Sequence, residues 1–114
     1  MAFHVWYVDD EPDICDNFSE LFSSADFLVK TFTDPKKAIE EAKRSRPDLV
    51  FLDFRMKTMT GDEVALLMDP KIPKFLVTGD ISIETKYKFD RVINKPYNEK
   101  AIFDVLGEYK TRVA

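Results

Sequence analysis

The stretch Leu49-Val50-Phe51-Leu52-Asp53 decides the fold class, because four apolar residues run without interruption into an aspartate. An apolar run of this length is typical of a strand that is buried on both faces, as in a parallel sheet. Four further short runs rich in apolar and aromatic residues have the same character. They lie at residues 5–8, 27–32, 75–77 and 92–94. The sequence therefore predicts five strands.

Stretches with helical spacing lie between these strands. Pro12 and the pair Asp34-Pro35 stand where helices begin, with Asp34 as a cap. Gly61 opens a short helix, and Asn98 caps the last one. Residues 82–89 form only a weak helix candidate, because β-branched and aromatic residues are mediocre helix formers. Strands that alternate with helices predict a doubly wound parallel sheet with helices on both faces.

The composition fits one domain over residues 1–114 and excludes some classes of function. Hydrophobic residues make up 45% of the 114 residues, which is enough for a core. The formal net charge of −4 argues against binding DNA through general charge.

Cys15 is the single cysteine, so no internal disulfide can form, and we expect it to be buried on a helix. No apolar stretch approaches the ~20 residues that span a bilayer, and we expect a cytoplasmic protein.

Polar residues follow the predicted strands where ligands bind in such sheets, beyond the carboxyl ends. Asp9 and Asp10 follow the first strand, Asp53 the third, Thr78 the fourth and Lys95 the fifth. Any one alone could be a helix cap or a turn residue. Three neighbouring carboxylates repel one another unless a cation neutralises them, and Mg²⁺ suits carboxylates together with phosphate oxygens. The set therefore suits a carboxylate that receives a phosphoryl group.

Four segments resemble the receiver domain of two-component response regulators. They are residues 8–12 (VDDEP), 52–56 (LDFRM) leading to Gly61, 77–79 (VTG) and 94–97 (NKPY). The resemblance covers nearly the whole chain. It implies a flavodoxin-like sheet of five strands in the order 2-1-3-4-5, and a cis peptide bond between Lys95 and Pro96.

The resemblance also implies the role of each site residue. Asp53 would be the phosphoacceptor, and Thr78 and Lys95 would contact the phosphoryl oxygens. The implied ligands of Mg²⁺ are Asp10, Asp53, the main-chain carbonyl of Arg55, and Asp9 acting mainly through a metal-bound water. Such a domain would be a phosphoacceptor that catalyses only its own phosphorylation and dephosphorylation, and not an enzyme in the usual sense.

The implied partners are a histidine kinase or a histidine phosphotransfer protein, together with an unknown downstream protein. The last helix and a short tail take up the chain from Asn98 onward, so we expect no output domain here. Many receivers dimerise through the face made by the fourth helix, the fifth strand and the last helix. The weak fourth helix should spoil that face, and we expect a monomer.

The chain departs from the family pattern in its spacing and at two positions. Lys57 stands where the family usually has proline, which could loosen the loop. The 25 residues from Asp53 to Thr78 and the 17 from Thr78 to Lys95 are short for the family. We therefore expect shortened third and fourth helices. Val92 stands where receivers carry an aromatic residue that turns when the domain is phosphorylated.

Two further residues bear on how long a phosphoryl group would last. In receivers, the residues two positions after the phosphoacceptor and two after the threonine flank the path of the hydrolytic water. Here they are Arg55 and Asp80, which could pair across the mouth of the site or point separately into solvent.

Two other classes of function compete with phosphorylation-controlled signalling. A docking module of receiver shape that never needs phosphate would tolerate Val92 and a short fourth helix. A phosphatase of the haloacid dehalogenase type generally has two aspartates one residue apart after the first strand. Asp9 and Asp10 are adjacent instead, which argues against that class.

Overall fold

Five parallel strands organise the chain in the computed structural model, which describes residues 2–80, 82–96 and 98–113. The strands are β1 (Phe3–Val8), β2 (Phe27–Phe32), β3 (Leu49–Asp53), β4 (Lys74–Thr78) and β5 (Arg91–Asn94). The helices are α1 (Pro12–Phe22), α2 (Pro35–Arg44), α3 (Gly61–Leu66) and α4 (Glu99–Val113). The strand order is β2-β1-β3-β4-β5, which confirms the predicted sheet.

The core consists of two layers, one on each face of the sheet. Strand residues alternate between the layers, as the period of two requires: Phe51 packs with α1 and α4, whereas Leu52 packs with α2 and α3. β3 is buried along its whole length, because it lies at the centre of the sheet and is covered on both faces. Cys15 is buried on α1, as predicted.

The helix starts follow local sequence signals. Pro12 occupies the start of α1, and the Asp34 carboxylate accepts a hydrogen bond of 3.0 Å from the Lys36 amide at the start of α2. Before α4, the Asn98 side chain accepts from the Ala101 amide at 2.8 Å. α3 begins with a capping box, in which Thr60 and Glu63 each bind the other's backbone amide. Among the described residues, no helix is long and apolar enough to cross a membrane.

The connection between β4 and β5, residues 79–90, differs most from the sequence-based expectation. α3 has six residues and is short as predicted, but the described residues of the β4–β5 connection contain no helix. The buried Asp62 carboxylate instead accepts from the amides of Lys86 at 2.6 Å and Tyr87 at 3.4 Å. These bonds give the two amides partners that a helix would otherwise have supplied.

Lys74 also holds the β4–β5 connection in place, from the buried side of the loop. Its side chain is fully buried, and Nζ donates to the carbonyl oxygens of Asp69 and Ile72 and to the Tyr87 hydroxyl, at 2.7, 3.0 and 3.1 Å. Burial lowers the pKa of Lys74, because a charged amine loses its hydration there. The buried lysine at the start of β4 therefore holds the β4–β5 connection against the sheet through its hydrogen bond to the Tyr87 hydroxyl, where a helix would otherwise pack.

Gly61 lies in close contact with the sheet at the start of α3. A Cβ atom at this position would lie 2.6 Å from the Asp53 carbonyl oxygen and 3.0 Å from Leu76 Cδ1. Neither the central strand nor the buried leucine can move away easily. The glycine therefore lets α3 begin directly against the residue at the end of β3.

We predict that Gly61→Ala lowers the free energy of unfolding by ~1–3 kcal/mol, because the new methyl group overpacks this contact. Gly107→Ala is the matched control, since a Cβ there meets nothing within 4 Å and the residue lies inside α4. The control should raise the free energy of unfolding by ~0.5–1 kcal/mol, because alanine favours a helix. Urea denaturation measures both changes. Equal effects of the two substitutions would contradict the prediction.

Candidate functional site

The predicted site residues meet at the carboxyl edge of the sheet. The register aligns Asp53 with Val77 and Thr78 with Asn94, so that β3, β4 and β5 end within one residue of the same level. An open cleft of about 220 Å³ lies over Asp53, and its other lining residues are Asp10, Glu11, Arg55, Thr78, Gly79, Asp80 and Lys95. The Lys95–Pro96 peptide bond is cis, as predicted.

Lys95 lies between two buried carboxylates. Its Nζ is 2.9 Å from Asp9 Oδ2 and 3.0 Å from Asp53 Oδ1. Asp9 is 0% exposed and Asp53 is 7% exposed. Because a buried charge is costly unless it is paired and hydrogen-bonded, the ammonium group supplies the partner that the two buried carboxyl groups need.

Asp9 is held by two further donors. The Tyr7 hydroxyl donates to Oδ2 at 2.8 Å, and the Glu11 amide donates to Oδ1 at 3.0 Å. Asp9 therefore lies at the bottom of the cluster, where three protein groups donate hydrogen bonds to its carboxylate. Sequence reasoning missed Tyr7, although a tyrosine in a buried strand signals that its hydroxyl needs a partner.

Asp10 is half-buried at the edge of the cleft, and its Oδ2 accepts a hydrogen bond of 2.9 Å from the Lys57 amide. Lys57 is the residue that stands in place of the usual proline. Proline has no amide hydrogen and could not make this bond. The substitution thus ties the loop after β3 to Asp10, a consequence that the sequence comparison alone did not predict.

Thr78 is buried at the end of β4, where its Oγ1 accepts a hydrogen bond from the Asp80 amide at 3.1 Å. The hydroxyl proton can therefore be donated in another direction. Nearby, Arg55 Nε lies 2.7 Å from Asp80 Oδ2, which bears out the pairing across the mouth of the cleft. The arginine side chain is 74% exposed, so this ion pair contributes ~0–1 kcal/mol to stability.

The electrostatic environment raises the pKa of Asp53 to about 6. Burial is the main cause, the hydrogen bond from Lys95 opposes it, and the charge of Asp9 adds to it. Without metal, the folded chain holds this proton more tightly than the unfolded chain. The contribution of Asp53 therefore makes the free energy of unfolding fall as the pH rises from 3.8 to about 6.

The pKa of Lys95 lies above its usual value. Burial alone would lower it, but the hydrogen bonds and charges of Asp9 and Asp53 outweigh that effect. Lys95 is therefore a fixed positive charge at neutral pH, as the sequence predicts.

The carboxylates of Asp9, Asp10 and Asp53 suit a divalent cation. One oxygen from each can be chosen so that all three lie within 4.8 Å of one another. Hard oxygen donors in such a group match the preference of Mg²⁺ for carboxylates and water. The three carboxylates therefore fit the predicted metal, and the part assigned to the Arg55 carbonyl stays a prediction.

Comparison with known proteins agrees with this geometry. The family model described as response regulator receiver domain matches residues 5–106. The nitrogen assimilation regulatory protein NtrX of Azorhizobium caulinodans is 31% identical over 111 residues, covering 86% of this chain and 24% of that protein. The probable transcriptional regulatory protein TcrX of Mycobacterium tuberculosis is 29% identical, covering 82% and 44% respectively. The chain thus spans less than half the length of these relatives.

Solved structures show the same fold. The signal receiver domain of a putative Luxo repressor protein from Vibrio parahaemolyticus aligns with a TM-score of 0.87 at 17% identity, covering 98% of this chain and 92% of that one. The chemotaxis response regulator CheY4 of Vibrio cholerae aligns with a TM-score of 0.82 at 26% identity, covering 96% and 99%.

We predict that Mg²⁺ raises the melting temperature, because the ion binds the folded carboxylate cluster and not the unfolded chain. At ten times its dissociation constant the gain is about 1.4 kcal/mol. Asp10→Ala should remove most of this gain, and Asp9→Ala should remove less, because the oxygens of Asp9 are already occupied by protein donors. Glu40→Ala, on the exposed face of α2, is the control and should keep the full gain. A melting temperature that millimolar Mg²⁺ leaves unmoved would exclude a metal site.

Proposed function

Since this chain belongs to the family of response regulator receiver domains, we propose that it takes a phosphoryl group on Asp53 and so controls docking to a partner protein. The observation that carries the proposal is the placement of Asp53. Its carboxylate lies at the floor of an open cleft, 3.0 Å from a lysine ammonium and close to two other carboxylates.

The reaction that we propose is transfer from a phosphorylated histidine. A carboxylate oxygen of Asp53 attacks phosphorus, the phosphorus–nitrogen bond of the donor breaks, and the imidazole leaves. The product is an acyl phosphate on Asp53. With a pKa of about 6, most molecules carry the ionised, attacking form of the carboxylate at neutral pH.

The remaining site residues would stabilise the charge of the transferred group. Lys95 Nζ already lies beside the attacking carboxylate and can contact a phosphoryl oxygen, and the Thr78 hydroxyl can donate to another. Mg²⁺ held by Asp10, Asp53 and the Arg55 carbonyl, with Asp9 acting through a metal-bound water, would supply further positive charge at the phosphoryl oxygens. Phosphoryl transfer depends mainly on such positioning and neutralisation.

The donor that we propose is a histidine kinase or a histidine phosphotransfer protein in the cytoplasm, and the readout is a changed docking surface for a downstream protein. The domain would catalyse only its own phosphorylation and dephosphorylation. Receiver domains as a family have this phosphoacceptor role and are not classical enzymes.

A docking module that works without phosphate is the second candidate. Two observations favour it: Val92 is 51% exposed and has no ring to turn, and the described residues of the β4–β5 connection form no helix. Incubation with acetyl phosphate and Mg²⁺, followed by mass spectrometry, separates the two functions. A labile adduct on Asp53 supports the phosphoacceptor, and its absence supports the docking module.

We predict that Asp53→Asn abolishes this adduct while the fold is kept, because the amide is nearly isosteric and cannot form an acyl phosphate. The change also removes one charge from a repelling cluster, so the metal-free variant should be at least as stable as the parent. Asp26→Asn, at an exposed aspartate outside the cluster, is the matched control and should label normally. Labelling of the Asp53→Asn variant at the rate of the parent would disprove the assignment.

The Arg55–Asp80 pair generates a prediction about the lifetime of the adduct. The pair lies at the mouth of the cleft, where it would hinder the approach of water to the phosphoryl group. We expect Arg55→Ala and Asp80→Ala each to speed hydrolysis, by up to about fivefold, which corresponds to ~1 kcal/mol for an exposed pair. The double variant should be no worse than the more damaged single variant, because the residues act together.

The measurement is the decay of the phosphorylated species after the donor is removed. Arg91→Ala is the control, because it breaks an exposed ion pair with Glu108 that lies away from the cleft. The shielding role would be refuted if the phosphorylated single variants lose the adduct at the rate of the parent. It would also be refuted if the rate increases of the two single variants multiply in the double variant.

We further propose that the domain is a monomer before and after phosphorylation. The surface that many receivers use to dimerise includes a helix before the fifth strand, and the described part of the β4–β5 connection is not helical. Light scattering before and after incubation with acetyl phosphate tests this. A dimer that forms only after phosphorylation would contradict it.

A further inference from the structure

Asp9 has an unusual set of partners for a residue at the bottom of an acidic cluster. Its Oδ2 accepts from both the Tyr7 hydroxyl, at 2.8 Å, and Lys95 Nζ, at 2.9 Å. A carboxylate oxygen has two lone pairs, so these two donors saturate it. The side chain is 0% exposed, and both of these donors to Oδ2 come from the protein.

The Tyr7 hydroxyl is a rigid donor. The tyrosine is fully buried on β1, and its ring stacks on Phe18 with centroids 4.3 Å apart and an interplanar angle of 10°. Phe18 in turn packs against Phe22 and Phe51. The ring cannot follow a moving partner, so the hydroxyl stays at the same place beside Asp9.

Lys95 is the mobile partner by comparison. Its flexible chain brings Nζ between Asp9 Oδ2 and Asp53 Oδ1, and its side chain is 21% exposed at the cleft. A phosphoryl group on Asp53 would draw the ammonium toward its oxygens. Asp9 would then lose one of the two donors to a fully buried oxygen, and an anion left without donors in such a place is strongly disfavoured.

We propose that Tyr7 is a positioning residue of this site. Its hydroxyl keeps Asp9 hydrogen-bonded and in place when Lys95 turns to the phosphoryl group. The inference rests on the proposed phosphorylation of Asp53 and deepens it. In the absence of the hydroxyl, the buried oxygen of Asp9 would hold Lys95 more tightly, and the lysine would be less available to the incoming group.

The first test is a stability cycle in EDTA at fixed pH, which needs no phosphorylation. The variants are Tyr7→Phe, Lys95→Met and their combination, and all three keep the packing volume of the side chains. Two donors on one oxygen can replace each other, so each single change leaves Asp9 with a partner at Oδ2. The double variant removes both, and its loss of stability in urea should exceed the sum of the single losses.

Tyr109→Phe is the matched control for this cycle. Its hydroxyl also lies near an aspartate oxygen, Asp48 Oδ1 at 3.4 Å, but that pair is outside the cleft. Tyr109→Phe and Lys95→Met should therefore give additive losses. Additivity in the Tyr7 cycle as well would overturn the proposal.

The second test is the rate of labelling by acetyl phosphate at saturating Mg²⁺. Tyr7→Phe should slow labelling about tenfold, the effect of one lost hydrogen bond to a charged group, and Tyr109→Phe should leave the rate unchanged. An unaltered rate in Tyr7→Phe would overturn the proposal. This test uses single variants only, and it decides the question if the double variant does not fold.

Failure of the proposed function gives a different result. A parent chain that acetyl phosphate does not label would refute phosphorylation of Asp53, and with it the exchange of Lys95. The stability cycle would still decide whether the Tyr7 hydroxyl and Lys95 are alternative donors to Asp9.

Discussion

The contact of Lys95 with two buried carboxylates is the interaction on which the rest of the site depends. Asp9 and Asp53 are almost inaccessible to water, and without a cation between them their charges would repel each other at short range. The lysine comes from the end of β5 and the carboxylates from β1 and β3. One ammonium group therefore joins three strand ends, and the sheet must hold them in register for the contact to exist.

The backbone meets this requirement through close packing beneath the site. β3 is buried along its length, and Gly61 lets α3 begin against the carbonyl of Asp53. The Lys95 amide donates to the Thr78 carbonyl at 2.7 Å, which holds the end of β5 to the end of β4. The Asp53 carboxylate is thus carried by the fully buried central strand of the sheet. The loops around it supply Arg55, Asp80 and the amide of Lys57, which shape access to the cleft.

The resemblance to receiver domains implied the sheet order, and short local patterns predicted the helix caps at Asp34 and Asn98 and the convergence of the acidic residues. Sequence reasoning missed other contacts between residues distant in the chain. Lys57 reaches Asp10 and Asp62 reaches Lys86 only after the sheet has brought their loops together. A lysine is expected at the surface when only the sequence is known. Lys74 is buried because the folded loop presents carbonyl groups to which its ammonium group donates.

The same long-range contacts bear on how a phosphoryl group could change the surface. A signal that depends on a turning aromatic ring is not available at Val92, which is half exposed on β5. The β4–β5 connection is instead fastened to Asp62, the neighbour of Gly61, and to Lys74 at the start of β4. Gly61 lies so close to the carbonyl of Asp53 that no Cβ atom fits between them. Asp53 and the connection are therefore linked through α3 by a backbone contact and a buried carboxylate, and no side chain on β5 takes part in these contacts.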